Sequence, residues 1–124
     1  MIAYTSVGTN DLDKALAFYD DLLGEIGAKR GPGNERFKVY TVDAGQPMFG
    51  ICTPYDEKPA TAGNGTMITL SVGDKATVER MHAKALALGA TCDGEPGPRA
   101  GDMFYMAYIR DLDGNKIAFF APNG

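Results

Sequence analysis

Arg110-Asp111-Leu112-Asp113-Gly114-Asn115-Lys116-Ile117-Ala118-Phe119-Phe120, near the end of a 124-residue chain, is the stretch whose reading decides the fold. Asp-Gly-Asn stands between two apolar runs, Met103 to Ile109 and Ile117 to Phe120, and Gly and Asn accept positive φ at little steric cost. The stretch therefore predicts a β-hairpin whose second strand closes the fold. Asp111 and Asp113 resemble a carboxylate pair. Beside Gly114 and Asn115, their expected role is turn chemistry, with side chains bonding nearby backbone.

Upstream of the hairpin, Met67 to Val72 alternates cleanly, with Ile68, Leu70 and Val72 on one face and Met67, Thr69 and Ser71 on the other. Asp74 is the expected N-cap of a helix whose apolar face is Val78, Met81, Ala85 and Leu88 and whose end is Gly89. A short strand is predicted at Ala90 to Cys92, followed by a loop from Asp93 to Asp102. Within that loop, Gly94 to Gly101 is glycine-rich but opens no helix, so it predicts flexible chain, not a phosphate cradle, with Arg99 placed to cover a pocket mouth.

The first half reads in the same order. Ile2 to Thr9 is a strand, Asn10 an expected N-cap, and Asp11 and Asp13 add negative charge to the first helical turn. Leu12, Ala15, Leu16, Tyr19, Leu22 and Leu23 recur at helical spacing; Gly24 ends the helix and Gly27 opens the next segment. Gly31-Pro32-Gly33-Asn34 predicts a loop, Arg36 to Val42 a strand, Asp43 to Gln46 a turn, and Met48 to Thr53 another strand. Pro54 to Gly65 has no periodicity and is the one long connection.

Laid side by side, Tyr4 falls on Met67, Asp11 on Asp74 and, with a slip of one residue, Gly27 on Gly89. The expectation is a single α+β domain over 1–124 made of two βαβββ modules, about 1–54 and 66–124 with a linker at about 55–65, forming a curved mixed sheet. Strand alternation then sends Tyr4, Ser6 and Gly8, Phe49 and Ile51, Met67, Thr69 and Ser71, and Ala118 and Phe120 to the side away from the helices.

Asn10 to Gly24, NDLDKALAFYDDLLG, together with the Asp113-Gly114-Asn115 hairpin, resembles the vicinal oxygen chelate superfamily: glyoxalase I, extradiol dioxygenases, fosfomycin-resistance enzymes and bleomycin-resistance proteins. The resemblance covers nearly the whole chain and implies the glyoxalase/bleomycin-resistance/dioxygenase-like fold and a homodimer. It also implies metal ligands: a His early in the first strand, a His early in the fifth, and Glu on the fourth and eighth. The matching positions here are Tyr4, Met67, Phe49 and Ala118, and no His or Glu lies next to any of them. Divalent ions want imidazole or carboxylate, so no metal and no cofactor is expected at those positions.

Composition narrows the remaining classes. A net charge of −4 argues against neutralising nucleic-acid phosphates. No apolar run reaches the roughly 20 residues of a membrane span, and the start lacks the pattern of a signal peptide, so a cytoplasmic protein with no membrane partner is expected. Cys52 and Cys92 are too few for a disulfide framework or a zinc knuckle and are expected to be reduced thiols. His82, the single histidine, reads as an ordinary partly buried helix residue, with Glu79 the one neighbour a turn away.

The residues left for chemistry are Tyr4, Ser6, Phe49, Met67, Thr69, Tyr105, Ala118 and Phe120, a lining of aromatic, thioether and small hydroxyl groups suited to an apolar or aromatic small molecule. The expected function is metal-independent binding of such a ligand. The alternatives are a glyoxalase-like lyase or isomerase using Tyr4 or Tyr105 as acid or base, and a dimerisation module with the lining packed shut.

Overall fold

In the computed structural model, which describes residues 1–124, the two copies are separate units, Met1–Ala62 and Gly63–Gly124, that divide inside the predicted connection. Unit one runs β1 (Tyr4–Gly8), α1 (Leu12–Leu23), a 3-10 turn (Gly24–Ile26), β2 (Lys29–Gly33), β3 (Phe37–Thr41) and β4 (Met48–Cys52). Unit two runs β5 (Ile68–Ser71), α2 (Lys75–Ala87), β6 (Thr91–Arg99), β7 (Phe104–Arg110) and β8 (Lys116–Pro122). Their sheets have matching strand orders, β1-β4-β3-β2 and β5-β8-β7-β6, with the first pair of each parallel and the rest antiparallel. The internal repeat is therefore a repeat of topology, and the fold is α+β.

Helix α1 starts one residue later than its composition predicts. Asp11, with extended backbone, is the cap, and its Oδ1 accepts the Lys14 N–H at 3.1 Å. Asn10 is turned instead onto the connection, where Oδ1 accepts the Ala60 N–H at 2.7 Å and Nδ2 donates to the Ala60 carbonyl at 3.3 Å. The amide has both a donor and an acceptor and so can satisfy both groups of one peptide residue; an aspartate cannot. The buried face of α1 is Ala15, Leu16, Phe18, Tyr19, Leu22 and Leu23. The chain goes on past Gly24 as a 3-10 turn and reverses at Gly27, whose φ of 76° suits glycine.

Asp74 caps α2 as expected, its Oδ1 accepting from the Thr77 N–H at 2.8 Å and the Thr77 hydroxyl at 2.7 Å. Both bonds favour the carboxylate, chiefly the one from the hydroxyl, and hold its pKa below the ordinary 3.8. The folded value is depressed, so the cap's stabilisation is fully present above the unfolded pKa and is lost as pH falls through the folded one. Asp74→Asn, which titrates nowhere, is expected to flatten the acid limb of a stability-against-pH curve below about pH 4, measured by urea unfolding.

Two predicted loops are strands. Gly31 to Gly33 belongs to β2, which pairs with β3 through an irregularity between Arg30 and Gly33. Pro32 is tolerated because β2 is an edge strand. A Cβ on Gly33 would sit 2.2 Å from the Phe37 carbonyl oxygen, so glycine is required there. Likewise Asp93 to Arg99 is most of β6, a nine-residue strand paired with β7 despite two register shifts, between Cys92 and Gly94 and between Gly94 and Gly97. Gly and Pro mark bulges in a bent edge strand here, not a flexible loop.

The closing hairpin forms as the sequence predicts. The buried Asp111 carboxylate holds its turn: Oδ1 accepts the N–H groups of Asp113 and Asn115, both at 2.9 Å, and Oδ2 accepts the Asn115 amide at 3.0 Å. Behind the turn, Ile109, Ile117 and Phe119 on the sheet, with Val78, Met81 and Ala85 on α2, are fully buried and form the core of unit two. No helix is long and apolar enough to cross a membrane.

Candidate functional site

Each sheet has one face covered by its helix and one free of it, and strand register assigns side chains to each. In unit two, Thr69, Ala118 and Tyr108 lie abreast on the helix-free face across β5, β8 and β7, followed by Ser71, Phe120 and Met106. Phe104 packs on Phe120 with centroids 4.8 Å apart, and the Tyr108 hydroxyl contacts the Met106 sulfur at 3.6 Å. Lys116 and Arg99 stand over the Tyr108 ring, 5.1 and 5.3 Å from its centroid. A Cβ on Gly94 would come within 2.5 Å of that ring, so the bulge glycine lets Tyr108 lie against β6.

In unit one the corresponding face carries Tyr4 beside Met48, Ser6 beside Gly50 and Val39, and Gly8 beside Cys52 and Phe37. The Phe37 ring meets Tyr4 edge-on, centroids 5.6 Å apart, and lies over Gly50, where an added Cβ would be 2.8 Å from it. The connection crosses one end of the face: Ala60 Cβ would be 3.0 Å from a Cβ on Gly8. Next to it, an open groove of about 560 Å³ is lined by Thr9, Asn10, Glu35, Arg36, Thr53, Pro54, Glu57, Lys58 and Pro59. Arg36 is held there by the Thr53 carbonyl at 2.7 Å and stacks over Tyr55 at 5.4 Å. The groove is mixed in charge and includes none of the predicted ligand-binding residues.

Of those eight residues, the register places five on helix-free faces, Tyr4 and Ser6 in unit one and Thr69, Ala118 and Phe120 in unit two, while Met67 immediately precedes β5 and has no strand partner. Phe49 is not on such a face. It pairs with Thr5 and Tyr40 and packs on Tyr19 of α1, centroids 5.3 Å apart, while Tyr40 donates to Asp20 and the Leu16 carbonyl on the same helix. The position that faces the other way is the neighbouring Gly50, which presents only backbone. Tyr105 is also on the helix side, where its hydroxyl donates to Glu79 at 2.8 Å and Lys75 stands over its ring at 5.6 Å. The bond to the Glu79 carboxylate raises its pKa above the ordinary 10, so it stays neutral and is not a base facing the ligand side.

Alternation alone could not place these residues. Met48 to Cys52 and Phe104 to Ile109 are apolar on both faces, so period-two patterning is silent there and only the pairing register decides. For the same reason sequence reasoning missed Phe37, Phe104, Met106 and Tyr108. The copies themselves carried the missing signal: Thr69 pairs with Ala118 as Ser6 pairs with Gly50.

The register also tests a metal site. Around the positions that the resemblance gives to ligands, the helix-free faces offer the phenol of Tyr4, the Ser6 and Thr69 hydroxyls, the bare backbone of Gly50 and the methyl group of Ala118, and the residue just ahead of β5 is the thioether Met67. None is an imidazole or carboxylate, so these residues do not fit a divalent ion. Tyr4 and Met67 are 53% and 41% exposed while Ala118 is fully buried, so the exposed part of this lining is aromatic, thioether and hydroxyl.

The sequence matches the family profile described as Glyoxalase/Bleomycin resistance protein/Dioxygenase superfamily over residues 1–119. A lactoylglutathione lyase from Haemophilus influenzae is 31% identical over 127 aligned residues, covering 95% of this chain and 90% of that protein. A probable lactoylglutathione lyase from Synechocystis is 29% identical, covering 94% and 91%. Among solved structures, a glyoxalase/bleomycin resistance protein from Albidiferax ferrireducens superimposes with a TM-score of 0.88 at 38% identity, covering 98% of both chains. The chain belongs to the Glyoxalase/Bleomycin resistance protein/Dioxygenase superfamily.

Proposed function

We propose that the protein binds a small, largely apolar or aromatic molecule against its helix-free sheet faces without a metal at the family's ligand positions. The observation that supports this is the side-chain chemistry at those positions, where hydroxyl, phenol, thioether and methyl groups stand in place of imidazole and carboxylate. In unit two the platform is Met67, Thr69, Ala118 and Phe120, to which the register adds Met106 and Tyr108. Aromatic and thioether surfaces contact flat apolar ligands well, and the hydroxyls of Ser71, Thr69 and Tyr108 supply orientation. The protein works as a homodimer in this reading, an expectation that light scattering tests.

Binding of an anilinonaphthalene sulfonate dye, followed by fluorescence, tests the proposal. Saturable binding that survives chelator and weakens at least tenfold in Thr69→Trp, which fills the platform, is the expected result. Binding abolished by chelator, or untouched by Thr69→Trp, counts against it.

A second reading is a glyoxalase-like lyase, favoured by the two relatives that bear the lactoylglutathione lyase name. Lactoylglutathione lyase activity is measured directly, with and without added zinc or nickel. The first reading predicts no turnover above buffer in either case, because no imidazole or carboxylate stands at the family's ligand positions to hold the metal.

A further inference from the structure

On the opposite side of unit two, where α2 covers β6, three side chains converge that play no part in the proposed ligand platform. His82 Nε2 is 3.3 Å from Cys92 Sγ, and Cys92 Sγ is 3.4 Å from Glu95 Oε1. All three ligating atoms lie within 4.8 Å of one another. The β6 bulge makes this possible. In a regular strand, residues three apart point to opposite faces, but the register shift between Cys92 and Gly94 inserts one extra residue. Cys92, opposite the buried Ile109, and Glu95, next to the Gly94 that faces Tyr108, are thereby turned to the same side, toward α2.

We infer that His82, Cys92 and Glu95 form a three-ligand site for a zinc-class divalent cation. A tetrahedral zinc with a Zn–S distance of about 2.3 Å and Zn–N and Zn–O distances of about 2.0 Å sets its ligand atoms roughly 3.5 Å apart. The S···N and S···O distances of 3.3 and 3.4 Å already match that spacing. Thiolate with imidazole selects zinc, cobalt or nickel over magnesium and calcium, which want oxygen alone. His82 is buried at 4% exposure, which fixes its ring, while Cys92 and Glu95 are exposed, which leaves an entry path and room for a water as fourth ligand. Glu79, the one partner visible to sequence reasoning, is taken up by Tyr105 and is not part of the site. Binding converts the Cys92 thiol to thiolate and releases its proton to solvent.

The test is titration of the full chain with cobalt(II), following thiolate-to-cobalt charge-transfer absorption in the near ultraviolet. One equivalent is expected to develop the band, with magnesium in excess unable to displace it. Cys92→Ser, an exposed change with little risk to folding, removes the band; Cys52→Ser keeps it. Glu95→Gln weakens binding at least tenfold, and His82→Gln abolishes the one-to-one stoichiometry. No band in the wild-type protein, or a band that persists in Cys92→Ser, overturns the inference. Because dye binding to the opposite face is read without metal, failure of one reading leaves the other standing.

Discussion

Ala118→Glu is expected to destabilise the protein by about 3–5 kcal/mol, the cost of an uncompensated buried charge, and in a Cys92→Ser background added zinc or nickel is expected not to recover it. Ala118 is fully buried in the middle of β8, between Thr69 and Tyr108 in the ladder. The substitution restores the single residue by which this hairpin departs from the metal-binding pattern. If the rest of a ligand set were present, metal at a hundred times its dissociation constant would return about 2.7 kcal/mol. Without partner imidazoles or carboxylates to complete a ligand set, no bound metal offsets the buried charge of the new carboxylate. Urea unfolding of the variant in a Cys92→Ser background, which removes the thiolate of the cluster beneath α2, reads the difference with and without each metal, and a metal-dependent rise in midpoint there would place unrecognised ligands on these faces.

The second large effect belongs to the hairpin turn. Asp111→Ala removes one acceptor group that satisfies three donors, on Asp113 and Asn115, in a turn where Asp111 and Asn115 are 7% and 4% exposed. Bonds to a charged acceptor are worth about 1.5–3 kcal/mol each, and buried donors left unpaired cost about as much, partly offset by water at the open Asp113 side. A loss of about 3 kcal/mol is expected, a fall in Tm of roughly 10 °C. Asp111→Asn, which keeps one oxygen acceptor, should fall by about half as much. Equal losses in the two variants would show that the carboxylate's charge and second oxygen carry the turn.

The sequence made the larger architecture plain because it is written twice. The Asp cap before α2, the glycines after both helices and the Asp-Gly-Asn turn each report a local backbone requirement, whereas the cap of α1 is Asp11, one residue past the Asn10 that the sequence suggests, because Asn10 is drawn onto Ala60. What remained hidden needs pairing partners to be known. β2 and β6 hold Pro and Gly in their interiors, and only their place at sheet edges makes those residues compatible with a strand. Phe49 and Tyr105 lie in strands that are apolar on both sides, so their faces follow from register and not from composition. The His82, Cys92 and Glu95 cluster was hidden for a related reason: its spacing along the chain matches no metal-binding motif until a bulge reverses the alternation.

Isothermal titration of zinc and nickel into the Cys92→Ser variant tests most directly whether the helix-free faces are a receptacle for an organic molecule and not a Lewis-acid centre. That variant lacks the thiolate of the cluster beneath α2, so any tight, one-to-one uptake must come from elsewhere. The expected result is no stoichiometric binding of either ion. A single tight site per chain, with affinity abolished by substitutions at Ser6 or Thr69, would contradict it.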